Sequence, residues 1–201
     1  YRPALGELIV ALDPGLAFGT GLHPSTRLCL VAMEDYLQPG DQVLDVGTGS
    51  GILSIAASKL GAGHVVALDI DSVSLRVAQD NVARNGVQET ISLKAASLSA
   101  LSTLDLTAES VEVFNAYGTW DGTFRLLLMN ILPEVIAKSA PAIAACLATD
   151  GLFVVSGIVE TRESSVRKAL SAAGLAVTER RVNQDWVALI GRKESEQSGV
   201  S

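Results

Sequence analysis

Cysteine is scarce in this sequence of 201 residues, which contains only Cys29 and Cys146. The two lie far apart, among apolar neighbours, and we expect no secretion signal. We therefore predict two reduced, buried thiols and no disulfide framework. No cluster of His and Cys has the spacing of metal ligands, and no serine follows a nucleophile-elbow pattern. The sequence thus predicts neither a metal site nor a serine hydrolase.

Long apolar runs are also lacking. No stretch approaches the roughly 18 to 20 apolar residues that cross a bilayer. The first residues, YRPALGELIV, contain no basic region, apolar stretch and cleavage site of the secretory kind. We therefore expect a cytoplasmic protein that does not bind membranes.

Basic residues are outnumbered by acidic residues, 15 to 22, and the formal net charge is -7 at pH 7. Binding of nucleic acid through a broad basic face requires clustered Lys and Arg. We therefore expect no direct nucleic acid binding, although an acidic enzyme can still attract a basic protein. The composition, 48% apolar and 18% charged, is typical of one globular domain with a proper core.

Short β-branched runs alternate with amphipathic stretches from residue 41 onward, which is typical of a parallel sheet with crossover helices. Before them, a turn-rich segment leads into a helix with Ser25 as its expected cap. Residues 97–123 lack a sustained period and predict a long connection, with a small hairpin at 111–114. The other predicted helices are 50–60, 71–85, 133–147 and 161–173, and the predicted strands are 42–47, 64–69, 90–94, 124–129, 152–158 and a closing hairpin of 175–182 with 185–192.

Gly47, Gly49 and Gly51 follow the first predicted strand at every second position, in the segment LDVGTGSGI. A dinucleotide fingerprint needs its third glycine one residue later, at the position of Ile52. Asp69 ends the second predicted strand, where a carboxylate can accept both hydroxyls of a ribose. Together these features predict a nucleoside site. Tight strand-to-helix packing is the alternative for the glycines, and helix capping is the alternative for Asp69.

A D-x-G-x-G-x-G loop with this acid resembles that of the class I S-adenosylmethionine-dependent methyltransferases. The segments LDPGLAFGTGLHPSTRLCL, VLDVGTGSGILSIAASKLGA, ALDID and NIL, in this order, resemble the ribosomal protein L11 methyltransferase family over roughly residues 8–192. The resemblance implies a Rossmann-like α/β fold with a seven-stranded, mostly parallel sheet, helices on both faces and an antiparallel closing strand. It implies a linker, cofactor-covering loop and first helix in residues 1–39 and a cofactor-binding core in 40–192. The polar composition of 193–201 predicts a disordered tail.

The same resemblance implies S-adenosylmethionine as methyl donor and S-adenosylhomocysteine as product. It implies that Asn130, in the N-I-L motif, is catalytic and also contacts the cofactor. The implied acceptors are lysine and N-terminal amines of a large-subunit ribosomal protein. The other cofactor-binding residues predicted on this basis are Phe18, Thr20, Thr26, Asp45, Gly47, Thr48, Gly49 and Asp69.

Asn130 stands at the carboxyl end of a predicted central strand, the place where open α/β sheets bind ligands. Its side-chain oxygen can accept a hydrogen bond from an amine and aim the nitrogen lone pair at a methyl group. Capping of the helix from Pro133 is the alternative. No Pro-Pro-aromatic sequence follows Asn130, which argues against a flipped nucleic-acid base as substrate.

Four further side chains also have candidate roles. Three of them have two possible roles, and the fourth has a structural role only. His23 is either a base or a structural hydrogen-bonding residue. Tyr117 and Trp120 either line a substrate channel or cover the edge of the core, and Trp186 is expected in the core.

Three departures from the family leave the acceptor open. The family carries a separate N-terminal domain that grips the ribosomal protein, and this sequence begins where the linker after that domain should end. The connection over 97–123 is longer than usual, and Arg125 and Met129 replace the family's Asp and Ala. The alternatives are a methyltransferase of another protein lysine or of a small amine, and a module that binds S-adenosylmethionine without catalysis.

Overall fold

A computed structural model describes residues 6–13, 21–96, 120 and 122–194. A 3₁₀ turn, Glu160–Arg162, precedes the last helix. No helix within these residues is long and apolar enough to cross a membrane. The elements follow in the order α1 (Pro24–Tyr36), β1 (Gln42–Val46), α2 (Ile52–Lys59), β2 (His64–Asp69), α3 (Ser72–Asn85), β3 (Ile91–Ala95), β4 (Phe124–Asn130), α4 (Pro133–Cys146), β5 (Leu147–Val159), α5 (Glu163–Ala172), β6 (Leu175–Asn183) and β7 (Trp186–Lys193).

The strands of the described chain form one seven-stranded sheet in the order β3-β2-β1-β4-β5-β7-β6. Strands β1 to β5 pair in parallel, and β7 runs antiparallel to both β5 and β6. This confirms the predicted mostly parallel sheet with an antiparallel closing strand. The order reverses between β1 and β4, and a crevice forms at such a switch point because the connections leave it in opposite directions.

Helices cover both faces of the sheet, as predicted. Residues of α1 and α2 pack on one face in a cluster that includes Leu128, while α4 and α5 pack on the other face in a cluster that includes Met129. Successive side chains of a strand point to opposite faces, so these two neighbours separate the layers. Cys29 and Cys146 are buried, one in each cluster, and neither forms a disulfide among the described residues. Burial raises the pKa of Cys29 to about 12, which keeps its thiol protonated.

The prediction that Ser25 caps the first helix is wrong. His23 occupies the N-cap position, and its Nδ1 accepts from the backbone N–H of Ser25 at 3.3 Å and lies 2.8 Å from Ser25 Oγ. Pro24 is the first helical residue and has no backbone N–H. The first donor that needs a cap is therefore that of Ser25, and the residue before Pro24 accepts it.

Three predicted boundaries also differ. Helix α2 begins at Ile52 rather than at residue 50, because Gly51 adopts a left-handed conformation with φ 83°. Strand β5 begins at Leu147, directly after α4, whereas the predicted strand began at residue 152. The last predicted helix divides into the 3₁₀ turn and α5. The predicted hairpin at 111–114 lies outside the described residues.

Candidate functional site

A cavity of about 490 Å³ opens at the carboxyl ends of β1, β2 and β4. This is the point where the strand order reverses, and the volume suits a ligand of nucleoside size. Phe18 and Thr20, both predicted to contact the cofactor, lie outside the described residues. The predicted residues that line the cavity are Thr26, Gly47, Thr48, Gly49, Asp69 and Asn130.

The glycine loop forms one wall of the cavity and is held against β2. The backbone N–H groups of Gly47 and Thr48 both donate to the carbonyl of Leu68, at 2.8 and 2.9 Å. Gly47 has φ 75°, and a Cβ at this position would lie 2.5 Å from Cγ2 of Ile131. A side chain at Gly47 would therefore separate this loop from the loop that follows β4. The glycine thus has a packing role in addition to its place in the wall.

Asp45 lies behind the glycine loop and is not among the residues that line the cavity. Its Oδ2 accepts hydrogen bonds from Thr48 Oγ1 at 2.8 Å and Ser54 Oγ at 2.6 Å, whereas Oδ1 has no partner among the described residues. Burial raises the pKa of this carboxyl, and the two hydroxyl donors oppose that shift. Asp45 therefore positions Thr48 and the first turn of α2 from the protein side.

Asp69 holds two backbone segments together at the end of β2. Its Oδ2 accepts from the N–H of Gly49 at 2.9 Å, and its Oδ1 accepts from the N–H of Asp71 at 3.0 Å. Asp71, not Asp69, caps α3, through the N–H groups of Val73 and Ser74. A carboxylate offers about four acceptor sites, so Asp69 retains acceptors for the hydroxyl groups of a ligand.

Asn130 and Thr26 meet in the cavity wall. Asn130 Nδ2 donates to Thr26 Oγ1 at 3.2 Å, and Thr26 is 1% exposed in the first turn of α1. The alternative role of Asn130, a cap for α4, is not observed, because Leu132 is the N-cap and no side chain bonds there. This hydrogen bond sets the orientation of the Asn130 amide, whose oxygen is the acceptor end of the side chain.

Two aromatic rings complete this end of the cavity. His23 and Trp186 pack edge to face, with centroids 4.5 Å apart, and both line the cavity. The prediction of a core role for Trp186 is therefore incomplete, since this half-buried side chain packs against the core and also faces the site. Trp120 packs on Phe124 at 5.8 Å and covers the edge of the core. Tyr117 lies outside the described residues.

Sequence reasoning missed several wall residues. Some had a local signal, because one directly follows Asp69, one ends the N-I-L motif and two lie in the first two turns of the helix after it. Gly157, in β5, had no local signal, because only the pairing of β5 with β4 brings it close to the loop after β4. The missed residues include Ile70, Ser74, Leu132, Val135, Ser139 and Gly157.

The strand order, the antiparallel β7 and the cavity bounded by a glycine loop and a strand-terminal acid are those of the class I methyltransferase fold. Within this class, the profile of the family described as ribosomal protein L11 methyltransferase (PrmA) matches residues 1–194. The chain belongs to that family.

Named relatives agree with this assignment. The ribosomal protein L11 methyltransferase of Chloroflexus aurantiacus is 45% identical over 199 residues, which are 96% of this chain and 61% of that protein. The protein of the same name from Listeria monocytogenes serotype 4b is 40% identical over 193 residues, 96% of this chain and 56% of that protein. The chain thus spans little more than half the length of these curated relatives.

A solved structure resembles the whole described fold. The crystal structure of ribosomal protein L11 methylase from Lactobacillus delbrueckii subsp. bulgaricus superposes with a TM-score of 0.80 at 33% sequence identity. The match covers 97% of this chain and 91% of that chain. The family assignment therefore holds in sequence and in three dimensions.

Proposed function

We propose that this chain transfers methyl groups from S-adenosylmethionine to amines, with Asn130 as the catalytic residue. One observation carries the proposal: Asn130 is fixed by Thr26 in the wall of the same cavity that Asp69 and the glycine loop line. A nucleoside-binding end and a polar, oriented amide thus share one cavity. A methyl donor bound at the nucleoside-binding end is therefore within reach of an acceptor amine bound at Asn130.

The residues present fit S-adenosylmethionine. Asp69 has carboxylate acceptors left for the two ribose hydroxyls, and Gly49, which it holds by a hydrogen bond, presents backbone rather than side chain to the cavity. Apolar side chains around Ile70 and Leu132 suit an aromatic base. When bound, this cofactor supplies an electrophilic methyl group on a sulfonium.

Asn130 provides orientation rather than acid–base chemistry. The carboxamide of Asn130 does not gain or lose a proton near neutral pH. Its oxygen accepts a hydrogen bond from an N–H of the acceptor amine and thereby directs the lone pair of the amine nitrogen. The acceptor must be neutral, whereas a free lysine has a reference pKa of about 10.4. The indole of Trp186 and the side chain of Ile131 make the adjoining wall apolar, which favours the neutral amine by desolvation.

We propose a large-subunit ribosomal protein as the acceptor, because the relatives are named for ribosomal protein L11. The chain carries 22 acidic against 15 basic side chains, and this balance favours a basic protein partner over a nucleic acid. A ribosomal acceptor also implies a reaction in the cytoplasm.

Methyl incorporation from labelled S-adenosylmethionine tests the proposal. The acceptors are undermethylated ribosomes, purified ribosomal protein L11 and a panel of small amines, each tested with wild type and Asn130→Ala. We expect label in the ribosomal protein with wild type and a loss of at least a hundredfold with the variant, which should bind S-adenosylhomocysteine within a few-fold of wild type.

The other outcomes separate the alternatives. Label only in small amines would replace the acceptor but keep the chemistry. Binding of S-adenosylhomocysteine without transfer to any acceptor would indicate a module without catalysis. Full activity of Asn130→Ala would remove Asn130 from the mechanism.

A further inference from the structure

Ser139 is a residue of the cavity wall, and the described part of the chain offers its hydroxyl no partner. It lies in the second turn of α4 and is 1% exposed, and its Oγ has no hydrogen-bond partner among the described residues. Buried polar groups nearly always have partners, so a hydroxyl without a protein partner beside a cavity has a hydrogen bond to offer to a ligand or to a water. The other hydroxyl-bearing wall residues are bonded within the protein: Ser25 to His23, Thr26 to Asn130, Thr48 to Asp45 and Ser74 to Asp71.

Ser139 and the Asn130–Thr26 pair lie on opposite sides of the sheet. Asn130 bonds to α1, which packs on one face, whereas α4 packs on the other face together with Val46 and Met129. Val46 and Met129 line the cavity as well. The cavity wall therefore runs from Asn130, across the ends of the central strands, to Ser139, whose Oγ lies just beneath the surface of the wall.

A nucleoside bound as proposed above directs its base toward the Ser139 end. The base and the 5′ substituent leave the ribose from different carbons, so a sulfonium near Asn130 and ribose hydroxyls on Asp69 send the base away from Asn130. Ala96 continues the wall in that direction. Its N–H donates to the backbone oxygen of Asp69 at 3.1 Å, and it packs against the same cluster as α4.

We propose that Ser139 Oγ hydrogen-bonds the polar edge of the purine base of the methyl donor, an inference that rests on the proposed function. A serine hydroxyl donates one hydrogen bond and accepts two, so it pairs with a ring nitrogen or with the 6-amino group. The side chains of Ile70, Leu132 and Val135 are 79%, 67% and 40% exposed. They belong to the same wall, and an aromatic base placed against them would bury apolar surface.

Calorimetric titration with S-adenosylhomocysteine tests this contact on the 201-residue chain. Ser139→Ala is expected to weaken binding about three- to tenfold, the effect of one hydrogen bond. Its thermal stability should be unchanged or higher, because the substitution removes an unpaired buried hydroxyl. Ser156→Ala is the matched control, since Ser156 is equally buried, donates to the carbonyl of Val187 at 3.0 Å and is not a wall residue. It should lower thermal stability and leave the affinity unchanged.

Analogues of S-adenosylhomocysteine identify the bonded atom. Four of them replace N1, N3 or N7 by C–H, or the 6-amino group by hydrogen. The analogue that lacks the atom bonded to Ser139 should bind equally to wild type and Ser139→Ala, because it has no hydrogen bond to lose. For the other three analogues the two proteins should differ three- to tenfold in affinity.

Equal binding of S-adenosylhomocysteine by the two proteins would overturn the inference and leave the proposed function intact. The same loss for all four analogues would also overturn it, because that pattern reflects packing rather than a hydrogen bond. A wild-type chain that binds no S-adenosylhomocysteine would overturn the proposed function, and this inference with it.

Discussion

Asn130 Nδ2 donates a hydrogen bond to Thr26 Oγ1 at 3.2 Å, across 104 residues of sequence. The bond joins the end of β4 to the first turn of α1, and both residues line the cavity. It fixes which end of the Asn130 amide is engaged by the protein, and so leaves the oxygen as the acceptor. Thr26 is thus a positioning residue for Asn130, in addition to its predicted contact with the cofactor.

Removal of the Thr26 hydroxyl should lower the transfer rate. Thr26→Val keeps the shape of the side chain but removes the acceptor for Asn130 Nδ2, so the amide loses its orientation. We expect kcat to fall about tenfold, the equivalent of about 1.4 kcal/mol in the barrier. Thr26→Ser retains the hydroxyl and should keep most of kcat. Unchanged kcat in Thr26→Val would show that the hydrogen bond does not orient Asn130.

Asp69 should control affinity for the cofactor. Asp69→Asn removes the charge and one of the two oxygens that bond to Gly49 and Asp71. We expect affinity for S-adenosylhomocysteine to fall about tenfold to hundredfold by calorimetry, because hydrogen bonds to charged groups are the stronger ones. Asp71→Asn is the control, since asparagine is also a good N-cap. A similar loss in both variants would indicate a general disturbance of this loop.

Gly47→Ala should destabilise the protein more than Gly86→Ala, because the first adds a steric contact to the backbone strain that both substitutions cause. Gly86, the C-cap of α3, also has a positive φ, 68°, but a Cβ there would meet nothing within 4 Å. Gly86→Ala should lower the free energy of unfolding by about 1 kcal/mol. Gly47→Ala adds the contact with Ile131 and should cost roughly 1 to 3 kcal/mol more. Urea denaturation measures both, and equal losses would contradict a close packing of the two loops.

The stability of the protein should fall as pH rises through the range in which Asp45 titrates. Burial raises the pKa of Asp45 in the folded state, so above its ordinary value of 3.8 the unfolded chain releases the proton first. The unfolded state then binds fewer protons, and the free energy of unfolding falls by up to about 1.4 kcal/mol per pH unit until the folded pKa is passed.

Asp45→Asn isolates this contribution, because asparagine does not titrate. Unfolding free energies of both proteins, measured from pH 4 upward, should diverge in favour of the variant as pH rises. Parallel curves over the whole range would contradict a raised pKa of Asp45.

Much of the fold was predictable because the signals are local. The alternation of β-branched runs and amphipathic stretches predicted the parallel sheet, and the structure confirms the central elements. The errors occurred where a neighbour overrides the local preference. Because Pro24 is the first residue of α1, its N-cap is His23 and not Ser25. Because Gly51 is left-handed, α2 begins after it, at Ile52.

The candidate site was predictable in part. The residues of the glycine loop and Asp69 are close in sequence to strand ends, and parallel strands bring those ends to one edge. Trp186 could not be placed in the same way, because its approach depends on the antiparallel pairing of β7 with β5, in which it lies opposite Val159. The predicted cofactor contacts of the wall residues stay predictions until a complex is measured.

The sequence by itself determined the family, the alternation of elements and the identity of the strand-end residues, since each of these is a pattern of neighbours along the chain. Only the tertiary structure decided what each side chain does there. In the structure Asp45 accepts hydrogen bonds from Thr48 and Ser54, and Asn130 donates to Thr26. The hydroxyl of Ser139, a residue of the cavity wall, has no partner among the residues that the structure describes. Hydrogen bonds and burial depend on which groups meet in space, and packing brings together residues that lie far apart along the chain.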